Sequence, residues 1–141
     1  MNRRALNVGF TGTRHDATVA QIRTLSALLL KLRPDRFHLG DCVGADEQAA
    51  HLAHALGIDC VGHPPIEEKL RANFNRYITE YPARSYLERN REIVDVCDIL
   101  IACPGEDRER LRSGTWATVR YARAKKKKLY VINPRGEVHV T

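Results

Sequence analysis

The sequence predicts an α/β domain, a Rossmann-like, doubly wound and mostly parallel sheet with helices on both faces. Short apolar runs alternate along the chain with segments whose apolar residues recur at helical spacing, the pattern of βα units. Three strand-to-helix junctions carry glycine among polar residues: Thr11-Gly12-Thr13-Arg14, Gly40-Asp41-Cys42-Val43-Gly44-Ala45-Asp46, and Ser113-Gly114-Thr115-Trp116. Open sheets build ligand crevices at such junctions, on the carboxyl ends of parallel strands. The chain has 141 residues, read as one domain spanning 1–141 and large enough to bury roughly two-thirds of its unfolded surface.

The elements follow in order. The apolar run 5–10 is a central strand ended by Thr11-Gly12-Thr13. Asp16 and Thr18 are candidate caps for a helix whose apolar positions Ile22, Leu25, Leu28, Leu29 and Leu32 share one face, and Pro34 stops it. A strand at 36–39 leads into an alanine-rich helix at 44–56, ended by Gly57 as a left-handed cap, and a third strand covers 58–61. Periodicity weakens over 63–85, which Pro64, Pro65 and Pro82 bracket; an irregular stretch of this length is usually functional or mobile. Then come a helix at 87–96, a strand at 98–103, a helix at 115–124, a last long strand at 129–133, and a turn at Pro134-Arg135-Gly136. Right-handed crossovers are expected throughout.

Composition bounds the class. The chain is 43% hydrophobic and 28% charged, as globular proteins are, and no apolar window is long enough for a membrane span. Met1-Asn2-Arg3-Arg4 runs directly into the first strand without a signal-peptide apolar region, so a cytoplasmic protein is expected. Cys42, Cys60, Cys97 and Cys103 have no C-x-x-C spacing and are read as buried, reduced thiols. The formal net charge of +6 favours an anionic partner, which a nucleotide, a nucleic acid or an acidic protein would satisfy.

The chemistry concentrates at 86–116. A glycine at a helix start lets backbone approach a ligand, and the first N–H groups of that helix point outward unpaired, with the dipole favouring an anion. Ser113-Gly114-Thr115 therefore reads as a phosphate cradle, with a plain N-terminal cap as the alternative.

Gly12-Thr13-Arg14, the stretch from Gly40 to Asp46, Pro64, Arg89-Asn90-Arg91 and Ser113-Gly114-Thr115 stand in an order and spacing that resemble the SLOG superfamily. This Rossmann-like group includes the DNA-processing protein A domain and the LOG cytokinin-activating phosphoribohydrolases, and the chain looks most like its small stand-alone branch, sometimes called YAcAr. The resemblance implies a pocket for a nucleotide or nucleotide-derived ligand. Gly12, Thr13 and Arg14 would line one wall, Gly40, Asp41, Gly44 and Asp46 the middle, and Ser113, Gly114 and Thr115 the phosphate cradle, with Arg89 and Asn90 facing it. The LOG enzymes carry roughly P-G-G-x-G-T-x-x-E, whose glutamate assists N-glycosidic cleavage. Here Ala117 and Thr118 occupy that region, and residues 106–112 split Pro104-Gly105 from the Gly114-Thr115 turn. Cleavage needs a carboxylate to stabilise an oxocarbenium-like centre and activate water, which leaves Asp41, Asp46, Glu47 and Glu106 as substitutes.

Individual residues admit two readings. Arg14 is a bidentate phosphate clamp or a solvent-facing loop residue. Asp46 bonds a ribose hydroxyl or base edge, or is a first-turn carboxylate favoured by the helix dipole; Asn90 reaches the ligand or is a polar residue facing solvent. Trp116 stacks on a base or packs its helix onto the sheet, the latter preferred. His51 and His54 lack a third metal ligand, and the lysines at 125–128 complement a helix end. No metal and no resident cofactor is expected. The primary expectation is a binder of a nucleotide or nucleotide-derived signal without efficient turnover. One alternative is a nucleoside 5′-monophosphate N-glycosidase using Asp46, Glu47 and Arg89. Another is single-stranded DNA binding by Tyr77, Tyr81 and Tyr86 interleaved with arginines. The expected assembly is a homodimer or higher homo-oligomer, with no membrane partner.

Overall fold

The computed structural model describes residues 4–141, and the reading placed on Met1, Asn2 and Arg3 lies outside them. The elements run β1 (Asn7–Gly12), α1 (Val19–Leu32), β2 (Arg36–Leu39), α2 (Ala45–Ala55), β3 (Cys60–Gly62), β4 (Thr79–Glu80), α3 (Tyr86–Val96), β5 (Ile99–Cys103), α4 (Gly114–Ala124), β6 (Lys128–Ile132) and β7 (Val138–Val140), with a 3₁₀ turn at Glu68–Leu70. The strands form one sheet in the order β4-β3-β2-β1-β5-β6-β7. Pairing is parallel everywhere except between β6 and β7. The chain adds strands on one side of β1 as far as β4, then returns to place β5 on the other. The topological switch point is therefore the β1–β5 seam, registered from Val8 opposite Ile99 to Gly12 opposite Cys103.

Strand alternation divides the core into two layers. Ile99, Ile101 and Cys103 of β5 and Tyr130 and Ile132 of β6 pack with α1 and α2. Leu100 and Ala102 of β5 and Leu129 and Val131 of β6 face the other way, joining Ile93 and Val94 of α3 and Val119 and Ala122 of α4. Strands buried on both faces read as continuous apolar runs, which is why the central ones are plain in the sequence.

Local chemistry sets the helix ends. Of the two candidate caps for α1, Thr18 takes the role in a full capping box with Gln21. The helix ends at Arg33, left-handed at φ 48°, just before Pro34. Gly57 follows α2 at φ 77°, the conformation glycine adopts without penalty.

Two strands extend the sequence reading. The segment 63–85 contains β4, whose two exposed residues hydrogen-bond to β3 as an edge. The turn at Pro134-Arg135-Gly136 closes a hairpin onto β7, because the Asn133 side-chain oxygen accepts from the amides of Arg135 and Glu137, both at 3.0 Å. Both strands are exposed and too short, two residues in β4 and three (Val-His-Val) in β7, for alternation to mark a strand. No described helix is long and apolar enough to cross a membrane.

Gln21 ties the layers to the loop that follows β5. It is 1% exposed, and its amide nitrogen donates to the carbonyls of Pro104 (2.8 Å) and Ile132 (2.9 Å). Gln21→Leu is isosteric enough to pack yet leaves both carbonyls unpaired, so it is expected to lower unfolding free energy by about 2–3 kcal/mol, measured by urea denaturation.

Candidate ligand-binding crevice

A cavity of about 740 Å³ opens at the carboxyl end of the β1–β5 seam. The turn after β1 supplies one wall through Gly12, Thr13, Arg14 and His15, and the loop after β5 supplies the opposite one. Thr13 is pinned from both sides: its amide donates to Cys103 and its carbonyl accepts from Ala45, each at 3.1 Å. The far end is the start of α4, where Ser113 is the N-cap and its hydroxyl accepts from the Trp116 amide at 3.2 Å. Among the described residues no acceptor takes the amides of Gly114 and Thr115, as expected of a first helical turn. Arg14, Arg110 and Arg112 bring positive charge to the same space, and Glu106, 3.7 Å from Arg110, is the carboxylate that lines it.

Tyr86 at the start of α3 also lines the crevice. The guanidiniums of Arg14 and Arg89 each lie 4.9 Å from its ring centroid, within cation–π range. A side chain at position 114 would run into the Tyr86 hydroxyl and ring. Gly114 thus makes room for Tyr86, and this neighbouring ring, beside any ligand, is the reason glycine is needed there.

Behind the crevice lies a second constellation. Gly40, Asp46, Arg89 and Asn90, with Cys42, surround a space of only about 10 Å³. Arg89 is 2% exposed. Its guanidinium donates to the carbonyls of Gly40 and His63, to Asn90 Oδ1 (2.8 Å), and lies 3.5–3.6 Å from Cys42 Sγ. A Cβ at residue 40 would collide with that guanidinium, so this glycine accommodates the buried arginine. Asp46 is buried and accepts from the Cys42 amide at 3.4 Å. Burial pushes its carboxyl up to about 6, with Arg89 pulling the other way; among the described residues no cation lies within ion-pair distance of it. Burial likewise raises the Cys42 thiol, with Asp46 adding to it.

Three expected pocket residues stand elsewhere. Asp41, left-handed at φ 52° and 1% exposed, accepts from Arg71 Nε (2.9 Å), the Phe74 amide (3.2 Å) and the Tyr77 hydroxyl (2.9 Å). It fastens the segment 63–85 to the sheet. Gly44, at φ 92°, leaves space for the Arg14 carbonyl. Glu47 is half-buried on α2 and borders neither space. Of the four substitute carboxylates, Glu106 alone lines the crevice. Tyr77 bonds Asp41 and Tyr81 stacks on His63 at 4.1 Å between centroids, so two tyrosines of the stripe are engaged within the protein, while Tyr86 borders the crevice. Trp116 packs in the α3–α4 layer, the reading preferred from sequence. Sequence reasoning misses His15, Arg110, Leu111 and Arg112; the signal for the last three is the arginine-rich insertion between Gly105 and Ser113, whereas His15 simply follows Arg14 in the turn after β1.

No protein-family model matches the chain, and no curated protein matches it in sequence. In structure it is similar to the molybdenum cofactor binding protein from the phototrophic bacterium Rippkaea orientalis, with a TM-score of 0.71 and 20% identity over 94% of this chain and 78% of that one. It is similar to the Moco carrier protein from Chlamydomonas reinhardtii, with a TM-score of 0.65 and 17% identity over 91% and 76%. It is also similar to DNA processing protein A from Streptococcus pneumoniae, with a TM-score of 0.69 and 16% identity over 90% of this chain and 50% of that one. This chain therefore spans half the length of that last protein. What these structures share with it is the expected Rossmann-like α/β fold.

Asp46 makes the folded state pH-dependent with a definite sign. Its carboxyl moves from 3.8 to about 6 on folding, so the folded state holds its proton more tightly and stability falls as pH rises between these values. Asp46→Asn removes this dependence. The stability difference between variant and parent is expected to shift in the variant's favour by on the order of 3 kcal/mol from pH 4 to pH 7, read by urea denaturation at each pH; a flat difference contradicts the assignment.

Proposed function

We propose that the crevice binds a nucleotide or nucleotide-derived ligand, with a phosphate at the start of α4 over Ser113, Gly114 and Thr115, and holds it without efficient turnover. The observation that carries this reading is the convergence, at the switch point, of unpaired first-turn amides with Arg14, Arg110 and Arg112. Helix dipole, open N–H groups and guanidiniums all favour an anion. The reading of binding over turnover rests on where the carboxylates stand. Thr118, in the region that holds the glutamate of the LOG pattern, donates its hydroxyl to the Gly114 carbonyl at 2.8 Å. Asp41 and Asp46 are buried and engaged with protein groups. Two of the structures that share the fold are named for binding or carrying a cofactor, which agrees with a carrier or sensor role.

Glu106 supports a second reading, a nucleotide N-glycosidase, because its carboxylate borders the space a sugar would occupy next to the phosphate cradle. In that case Glu106 takes the acid–base role first assigned to Asp46 and Glu47. Arg89 is left as support for the wall, since its donors are engaged by the protein.

One experiment separates the two. Incubating the protein with a panel of nucleotides and nucleotide-derived signals, followed by liquid chromatography and mass spectrometry, is expected to deplete an intact species that denaturation returns. Arg14→Ala is expected to weaken that binding about ten- to a hundredfold, the worth of a charge-assisted contact, in calorimetry. Steady release of free base, lost in Glu106→Gln, would instead establish the glycosidase.

A further inference from the structure

Tyr86, the first residue of α3, carries a polar group that the fold leaves without a partner. Its hydroxyl makes no hydrogen bond among the described residues. The one buried side-chain polar atom lacking a partner there is Trp116 Nε1, so the Tyr86 oxygen, which lacks one too, is open to solvent. The side chain is half-buried and borders both the crevice and the small space behind it. Its two ends face different ways. The ring lies against Arg89, which lines the inner space and not the crevice. The hydroxyl stands at residue 114: a Cβ there would run first into the Tyr86 oxygen, and Gly114 lines the crevice and not the inner space. The polar tip therefore emerges beside the first residue of α4, next to the open amides of Gly114 and Thr115.

The ring is held in place by the protein itself. The guanidiniums of Arg14 and Arg89 each lie 4.9 Å from its centroid. Arg89 is fixed in turn by the carbonyls of Gly40 and His63 and by Asn90, so the ring rests on an immobile group. The Arg14 guanidinium makes no hydrogen bond or ion pair among the described residues, and its N–H groups stay free while its charge sits over the ring. A phenolic hydroxyl can donate, and a hydrogen bond to a charged acceptor is roughly twice as strong as one between neutral groups. A donor already fixed in position also loses little freedom when a ligand arrives. We infer that Tyr86 is a ligand-contacting residue of the crevice, whose hydroxyl donates to a non-bridging oxygen of the phosphate seated over Ser113, Gly114 and Thr115. This rests on the crevice reading above and adds a donor from α3 to those supplied by α4 and by the turn after β1. The anion is then held from three elements that meet only in the folded chain.

Tyr86→Phe keeps the ring beside both guanidiniums and removes only the hydroxyl. Because that oxygen has no partner within the described protein, the variant is expected to unfold at the same urea concentration as the parent. Its affinity for adenosine monophosphate, by calorimetry, and for inorganic phosphate, by phosphorus NMR titration, is expected to fall about tenfold. Inorganic phosphate carries only the group that the hydroxyl touches, so its response does not depend on where a base lies. Equal affinity of parent and variant for both probes overturns the inference and leaves the crevice reading standing. A loss with adenosine monophosphate alone also overturns it, since the hydroxyl then meets the sugar or base, as does a loss that comes with a lowered urea midpoint, which marks a structural role. Failure of the parent to bind either probe removes the phosphate site itself, and this inference with it.

Discussion

The buried guanidinium of Arg89 organises the functional end of the sheet. It reaches from α3 to the carbonyls of Gly40, just past β2, and His63, just past β3, and so fixes α3 against two strand ends at once. Residue 40 must be glycine because the guanidinium occupies the space of its side chain. Tyr86, one turn earlier on α3, lies under the same cation, and its ring in turn requires glycine at 114, the first residue of α4. A charge buried this deeply costs several kcal/mol in desolvation unless its donors are satisfied. Here carbonyls, an amide oxygen and a thiol surround it. The geometry of the crevice is thus inherited from a structural cation one layer below.

That arrangement separates the polar residues of the region by role. Arg89, Asn90, Asp41 and Asp46 are buried and engaged with one another or with backbone, and they shape the wall. Arg14, Arg110 and Arg112 border open space, and they are available to a ligand. Asp46 shows what the inner layer costs, since its burial outweighs the pull of the nearby guanidinium and lifts its carboxyl to about 6. A carboxylate held in that way supports a fold more readily than it meets a substrate.

The crevice and a smaller cavity lie on either side of one loop, which leaves β5 at Pro104 and enters α4 at Ser113. Gln21 holds the beginning of that loop through the Pro104 carbonyl, and Ser113 holds its end by capping α4. Between them, ion pairs from Arg120, Arg123 and Arg135 secure Glu109 and Asp107. The insertion that interrupts the glycine motif in sequence is therefore a built element that walls both spaces.

The class of fold, the central strands, the four helices and the glycine-bearing strand ends that border the crevice are legible from the residues alone. Those features rest on periodicity, caps and glycines, all of which act within a few residues. The short strands β4 and β7 are not legible, because two or three exposed residues on a sheet edge are too few for a period to show. Motif position brought Gly12, Thr13, Arg14 and Ser113 to Thr115 into view. It did not distinguish Arg89, Asp46 and Asp41, which are inside, from Arg110, Arg112 and Glu106, which border the opening. That division comes from the packed fold, because whether a charged side chain faces open space or a carbonyl depends on which distant elements fold over it.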